Sequence, residues 1–148
     1  METLINLGIL ICAIIALVFS FIELRSYKAK ENSKLLSQLN KRYMDNNHIQ
    51  KVVRYLRDFE ASDEEPSAYE TEVFLRYFEE LGTYLRRKSL SPEYAYKFFS
   101  YYLDKYYYSD KGKMLQEKVK HVEEKLDYVK DFKKATDNYK INNIHNYY

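Results

Sequence analysis

Apolar residues run almost without interruption from Leu4 to Ile22, and after Glu23 they return only as stripes at helical spacing. The first pattern covers the whole circumference of a helix. Ile5, Leu7, Ile9, Leu10, Ile11, Ile14, Ile15, Leu17, Val18, Phe19 and Phe21 leave no polar face. These 19 residues span roughly 28 Å at helical rise, close to the hydrocarbon thickness of a bilayer. A core helix of a soluble protein would keep a polar side. A cleaved leader would open on basic residues and close on a small pair, whereas this run opens Met1-Glu2-Thr3 and leaves through Phe21-Ile22-Glu23-Leu24-Arg25. Ile11 before Cys12 is too bulky for lipoprotein processing. The pattern therefore predicts a transmembrane helix over residues 1–24.

The rest predicts helices throughout. Helical character continues through "RSYKAKENSKLLSQLNKRYM", with Leu35, Leu36, Leu39 and Tyr43 on one side. Asp45-Asn46-Asn47 breaks it, because these side chains compete for backbone hydrogen bonds. A short helix follows near "HIQKVVRYLRDF", aligned on Ile49, Val52, Val53, Leu56 and Phe59. After an acidic loop with Pro66, "EVFLRYFEELGTYLRR" carries a broad stripe of Val73, Phe74, Tyr77, Phe78, Leu81, Tyr84 and Leu85. Ser91 is an N-cap and Pro92 a first helical residue for "SPEYAYKFFSYYLDKYYY", whose inner face reads as Ala95, Phe98, Phe99, Tyr102 and Leu103. Asp110-Lys111-Gly112 is expected to turn the chain into one last long helix striped by Leu115, Val119, Val122, Leu126, Val129 and Phe132. From about residue 138 the periodicity fades and a flexible tail is expected. The fold class is thus all-α: one N-terminal transmembrane helix followed by a small helical bundle, residues 25–148, forming one domain.

Charge adds an orientation. Arg25, Lys28, Lys30 and Lys34 follow the apolar run, while its N-terminal side offers only the α-amino group. Basic residues are retained on the cytoplasmic side, so the bundle is expected in the cytosol, with the N-terminus outside. Residues 25–57 hold nine Lys or Arg against Glu31 and Asp45, a net +7, and residues 58–80 hold nine acids against Arg76, a net −8. The basic segment suits anionic headgroups; the acidic one can pair with it within a chain or between chains. Overall charge is only +2, which disfavours nucleic acid as the main partner. The 17 tyrosines fall mostly on or beside the apolar stripes, as packing residues do. A single cysteine excludes an intrachain disulfide and agrees with a reducing compartment.

Within the apolar run, Gly8, Cys12, Ala16 and Ser20 recur every fourth residue as a ridge of small side chains, with Asn6 near its outer end. Lipid tails are as apolar as leucine, so membrane helices associate by close backbone approach, which small residues permit. A lone helix has no second span of its own to pack there. The ridge therefore points to other copies of the chain and, in a ring, to residues that line an opening.

Chemistry is sparse. The chain holds no phosphate-binding loop, dinucleotide fingerprint, cysteine pair or zinc-binding HExxH helix, and His48, His121 and His145 are scattered. No cofactor, no metal and no enzymatic activity are expected. One pattern bears on catalysis: Arg42 and His48, five residues between them, resemble the Arg-x(4–6)-His signature of HEPN ribonucleases, in which the histidine is the general acid and base at an RNA 2′-hydroxyl and the arginine holds the phosphate. Here Tyr43 follows the arginine, where a polar residue is usual, and the pair lies near the membrane helix instead of opening a late one.

The stretch "FLRYFEELGTYLRRKSLSPEYAYKFFSYYL", Phe74 to Leu103, resembles a family of bacterial single-pass membrane proteins built on an aromatic-x-Glu-x-Leu-Gly segment, a basic turn and a second aromatic helix. Phe78, Glu79, Leu81 and Gly82 carry that likeness. The whole layout is similar to the membrane accessory proteins of type VI CRISPR systems, which have a HEPN-like helical body. That resemblance implies a homo-oligomeric pore in the bacterial inner membrane that acts in phage defence beside an RNA-guided nuclease. Two readings stay open: an oligomeric effector that permeabilises the membrane, and an anchored module that tethers a cytosolic partner.

Overall fold

The computed structural model describes the backbone of residues 2–57 and 64–144, and the side chains of 10–57 and 64–143. It is all-helical: α1 (Glu2–Asp45), α2 (Asn47–Arg57), α3 (Ala68–Arg86), α4 (Pro92–Tyr108), α5 (Asp110–Glu123) and α6 (Asp127–Ile144). The chain divides into two compact units, Met1–Ser37 and Gln38–Tyr148.

The first unit is helix α1 alone up to Ser37. No residue from Leu10 to Ile22 is buried, and α1 is the one helix among the described residues long and apolar enough to cross a membrane.

The second unit has a continuous core. Helix α1 supplies Leu39 and Tyr43 to it, then stops where the Asp-Asn-Asn stretch predicts. Asn46 Oδ1 accepts hydrogen bonds from the backbone N–H groups of His48 (3.0 Å) and Ile49 (3.1 Å), capping α2. On α2, Ile49, Val52, Val53, Tyr55 and Leu56 face inward; Phe59, expected beside them, lies outside the described residues. Helix α3 packs against α2, α4, α5 and α6 and buries Phe74, Leu75, Phe78 and Leu81 completely. Phe78 meets Phe74 at 4.9 Å and Phe132 at 5.3 Å between ring centres, and burying each such ring contributes about 2–3 kcal/mol. Val73, Tyr84 and Leu85, expected in the same stripe, are only half-buried.

Local chemistry sets the helix ends. Helix α3 begins before the aromatic stripe, at Ala68. Ser67 Oγ accepts from Glu70 N–H, and the Glu70 carboxylate accepts from Ser67 N–H, a reciprocal capping box. It ends with Lys88 in the left-handed region at φ 58°, where Lys88 N–H reaches Leu85 O and Ser89 N–H reaches Tyr84 O. Ser91 and Pro92 open α4 as the sequence predicts.

Three expectations are corrected. Phe98 does not lie on the inner face of α4: it is 53% exposed, and Tyr102 is half-buried, while Ala95, Phe99, Leu103 and Tyr106 fill the core. The turn after α4 falls on Ser109, whose Oγ accepts from Gly112 N–H, so Asp110, Lys111 and Gly112 are the first turn of α5. The last long helix is two helices, because Lys125 N–H and Leu126 N–H bond back to Val122 O and Glu123 O and the chain restarts at Asp127. Beyond residue 138, α6 stays helical to Ile144.

Candidate functional site

The residues singled out by sequence fall into three separate places. In the first unit, the apolar side chains from Leu10 to Leu24 are 49% (Ile11) to 70% (Leu17) exposed, a belt left uncovered among the described residues. Cys12, Ala16 and Ser20 lie in that belt, all exposed and one turn apart on α1. The side chains of Asn6 and Gly8 lie outside the described residues. Arg25, Lys28, Lys30 and Lys34 follow on the same helix, exposed. Water around so much hydrocarbon costs on the order of 25 cal/mol per Å², and a bilayer removes that cost.

Arg42 and His48 are held by different partners. Arg42 Nη1 bonds Glu80 Oε1 at 2.6 Å, and Tyr84 OH donates to the same oxygen at 3.4 Å. The carboxylate hydrogen bond raises the guanidinium pKa further, so Arg42 is a fixed cation. His48 is half exposed, its Nδ1 is 3.8 Å from Glu70 Oε1, and its ring meets Tyr69 edge-on at 5.2 Å. Glu70 and Glu80 stand ten residues apart on α3, about 15 Å along its axis. Each residue is thus tied to α3 at a different level.

The segment that carries the family resemblance, 78–82, is a helix-docking contact. Phe78 and Leu81 are fully buried. Glu79 Oε2 accepts from Val129 N–H at 2.9 Å, so a carboxylate on α3 caps the N-terminus of α6. At Gly82 an added Cβ would lie 2.0 Å from Tyr128 O, which places the α6 backbone directly against α3. Packing demands each of these residue types, without any reacting group.

The basic and acidic segments meet within the chain. Lys51 pairs with Glu64 (3.1 Å) and Glu70 (3.3 Å), and Arg42 with Glu80. Glu65 pairs instead with Lys118 of α5 at 2.9 Å. Lys133 of α6 is almost buried between Asp104 (3.1 Å) and Asp137, its Nζ 4.9 Å from the Tyr108 ring centre. Burial pushes its pKa down, and the two carboxylates outweigh that and raise it. No group of three or more His, Cys, Asp or Glu suited to hold a metal ion occurs among the described residues.

One feature escaped the sequence reading. Tyr94, Phe98, Tyr101 and Tyr108 form an exposed row on α4, opposite its core face. The signal was present, but aromatic residues occur on both faces of this helix and periodicity does not say which face is covered. No protein-family model, no characterised protein and no solved structure matches the chain.

Proposed function

We propose that the chain is a single-span membrane protein that assembles with copies of itself through α1 and permeabilises the membrane. The observation that carries this reading is the apolar belt of α1, which no other described residue covers and which needs lipid or another helix. The small residues Cys12, Ala16 and Ser20 supply a surface on which two such helices can approach closely. The basic residues from Arg25 to Lys34 orient the bundle to the cytosol of a bacterium, with the N-terminus across the inner membrane. Phage defence beside an RNA-guided nuclease is the setting implied by the resemblance of the whole layout to the membrane accessory proteins of type VI CRISPR systems.

The test is alkaline carbonate extraction, then sizing in mild detergent, then dye release from vesicles. The full chain resists extraction, sizes above two copies and releases dye, while Ala16→Ile lowers the copy number and the release together. Extraction of the intact chain by carbonate overturns the membrane reading. An embedded chain of one or two copies that leaves vesicles tight makes it an anchored tethering module instead.

A further inference from the structure

Helix α4 has two apolar faces, and the bundle uses one. Ala95, Phe99, Leu103 and Tyr106 are buried. On the other side, Tyr94, Phe98, Tyr101, Lys105 and Tyr108 follow one another at spacings of four, three, four and three residues. That is the a/d spacing of a seam that packs against another helix. Its rings are well exposed, from 43% at Tyr94 to 70% at Tyr108. A helix apolar on both sides is normally covered on both. Beside the C-terminal half of the row, an open groove between α4 and α6 is lined by Tyr101, Lys105, Tyr108 and Ile141.

We propose that this seam pairs antiparallel with the same seam of a second copy of the chain. Charge selects both the occupant and the direction. In a parallel pair, Lys105 would face Lys105. Reversing one helix sets Phe98 against the partner's Tyr101 and Lys105 against the partner's Tyr94 ring, a contact Lys105 already makes with its own Tyr101 at 5.5 Å. The same reversal brings Lys97, which pairs with Glu93 in its own chain at 2.6 Å, opposite the partner's Asp104, which already holds Lys133 at 3.1 Å. The new pair extends existing ion pairs, and two-fold symmetry makes each contact twice. The seam is thus complementary to itself.

This proposal rests on the anchor reading. A 17-residue helix is about 25 Å long and offers less than the roughly 800 Å² per partner of a stable interface, so confinement to one membrane must supply the missing effective concentration.

The test is disulfide trapping of the full chain in membranes, in a Cys12→Ser background, with Phe98→Cys and Tyr101→Cys on differently tagged copies. Co-expressed copies give a mixed disulfide dimer at least about tenfold above either variant alone, because each position faces the other and not itself. Phe98→Glu added to the Tyr101→Cys partner removes the mixed dimer, with helicity unchanged by circular dichroism, since the site is exposed. Self-trapping of Phe98→Cys above the mixture overturns the antiparallel pairing. Absence of every trapped dimer from carbonate-resistant membranes overturns the seam and leaves the anchor standing, whereas release by carbonate overturns the anchor.

Discussion

At the scale of single residues, Gly82 opposes two effects that one substitution separates. Glycine inside a helix is ordinarily about 1 kcal/mol worse than alanine. Here the added Cβ would meet Tyr128 O at 2.0 Å, and a backbone atom cannot rotate away. Gly82→Ala is therefore expected to lower stability by about 3 kcal/mol, read as a shift in urea midpoint, against the sign that propensity gives. Two buried tyrosines form a second contrast. Tyr77 OH donates to Leu39 O at 3.0 Å, whereas Tyr43 OH is buried with no hydrogen-bond partner among the described residues. Burial raises the pKa of both phenols, so both stay protonated and both matter only as donors. Tyr77→Phe should cost about 1 kcal/mol and Tyr43→Phe nothing or less than nothing, because it removes a desolvated group that gains no bond in return. Equal costs in thermal unfolding would contradict the assignment of these two hydroxyls.

At the scale of elements, the helix ends carry the predictions. Lys88 occupies a left-handed position that glycine adopts without strain, so Lys88→Gly is expected to stabilise the protein by about 1 kcal/mol. At the start of α3, burial pushes the Glu70 carboxyl up, and hydrogen bonds from Ser67 together with Lys51 outweigh it, leaving its pKa below the ordinary 4.5. A lowered carboxyl stabilises the fold above its unfolded pKa and ceases to do so as pH falls through the folded one. Glu70→Gln should therefore be less stable than the parent at pH 7, and the gap should close as pH drops below about 4.5. These ends also show what local sequence makes legible. The α1–α2 break and the start of α4 were readable because Asn46 and Ser91 cap their own helices and Pro92 suits a first helical position. The α5–α6 break was not, because Leu115, Val119, Val122, Leu126, Val129 and Phe132 keep helical spacing across it, and the cap for α6 comes from Glu79 of another helix. Phe98 was misplaced for a related reason: its neighbour Phe99 is as apolar, and only the packed structure says which of the two is covered. Of the candidate site, the apolar belt was legible outright, since a helix that is apolar around its whole circumference is recognised without tertiary context.

At the scale of the whole molecule, the division at Ser37–Gln38 makes a prediction that bears on how far the folded body depends on α1. All the fully buried apolar residues of the described chain lie at Leu39 and beyond, and the first 37 residues add only the half-buried Leu35 and Leu36. A fragment beginning at Gln38 should fold, stay in the soluble fraction and unfold at the urea midpoint of the full chain. Moving the start to Asn46 removes only eight more residues, but with them go Leu39 and Tyr43, the acceptor for Tyr77 OH, and the Tyr43 carbonyl that binds Gln50 Nε2 at 2.7 Å. Emptying two large core positions costs about 5 kcal/mol, comparable to the entire stability of a domain this size. The shorter fragment should show no cooperative transition by circular dichroism. If both fragments unfolded alike, the end of α1 would be a passive extension of the membrane helix. A difference as large as expected instead means that the last turns of α1, from Leu39 to Asp45, are part of the folded body.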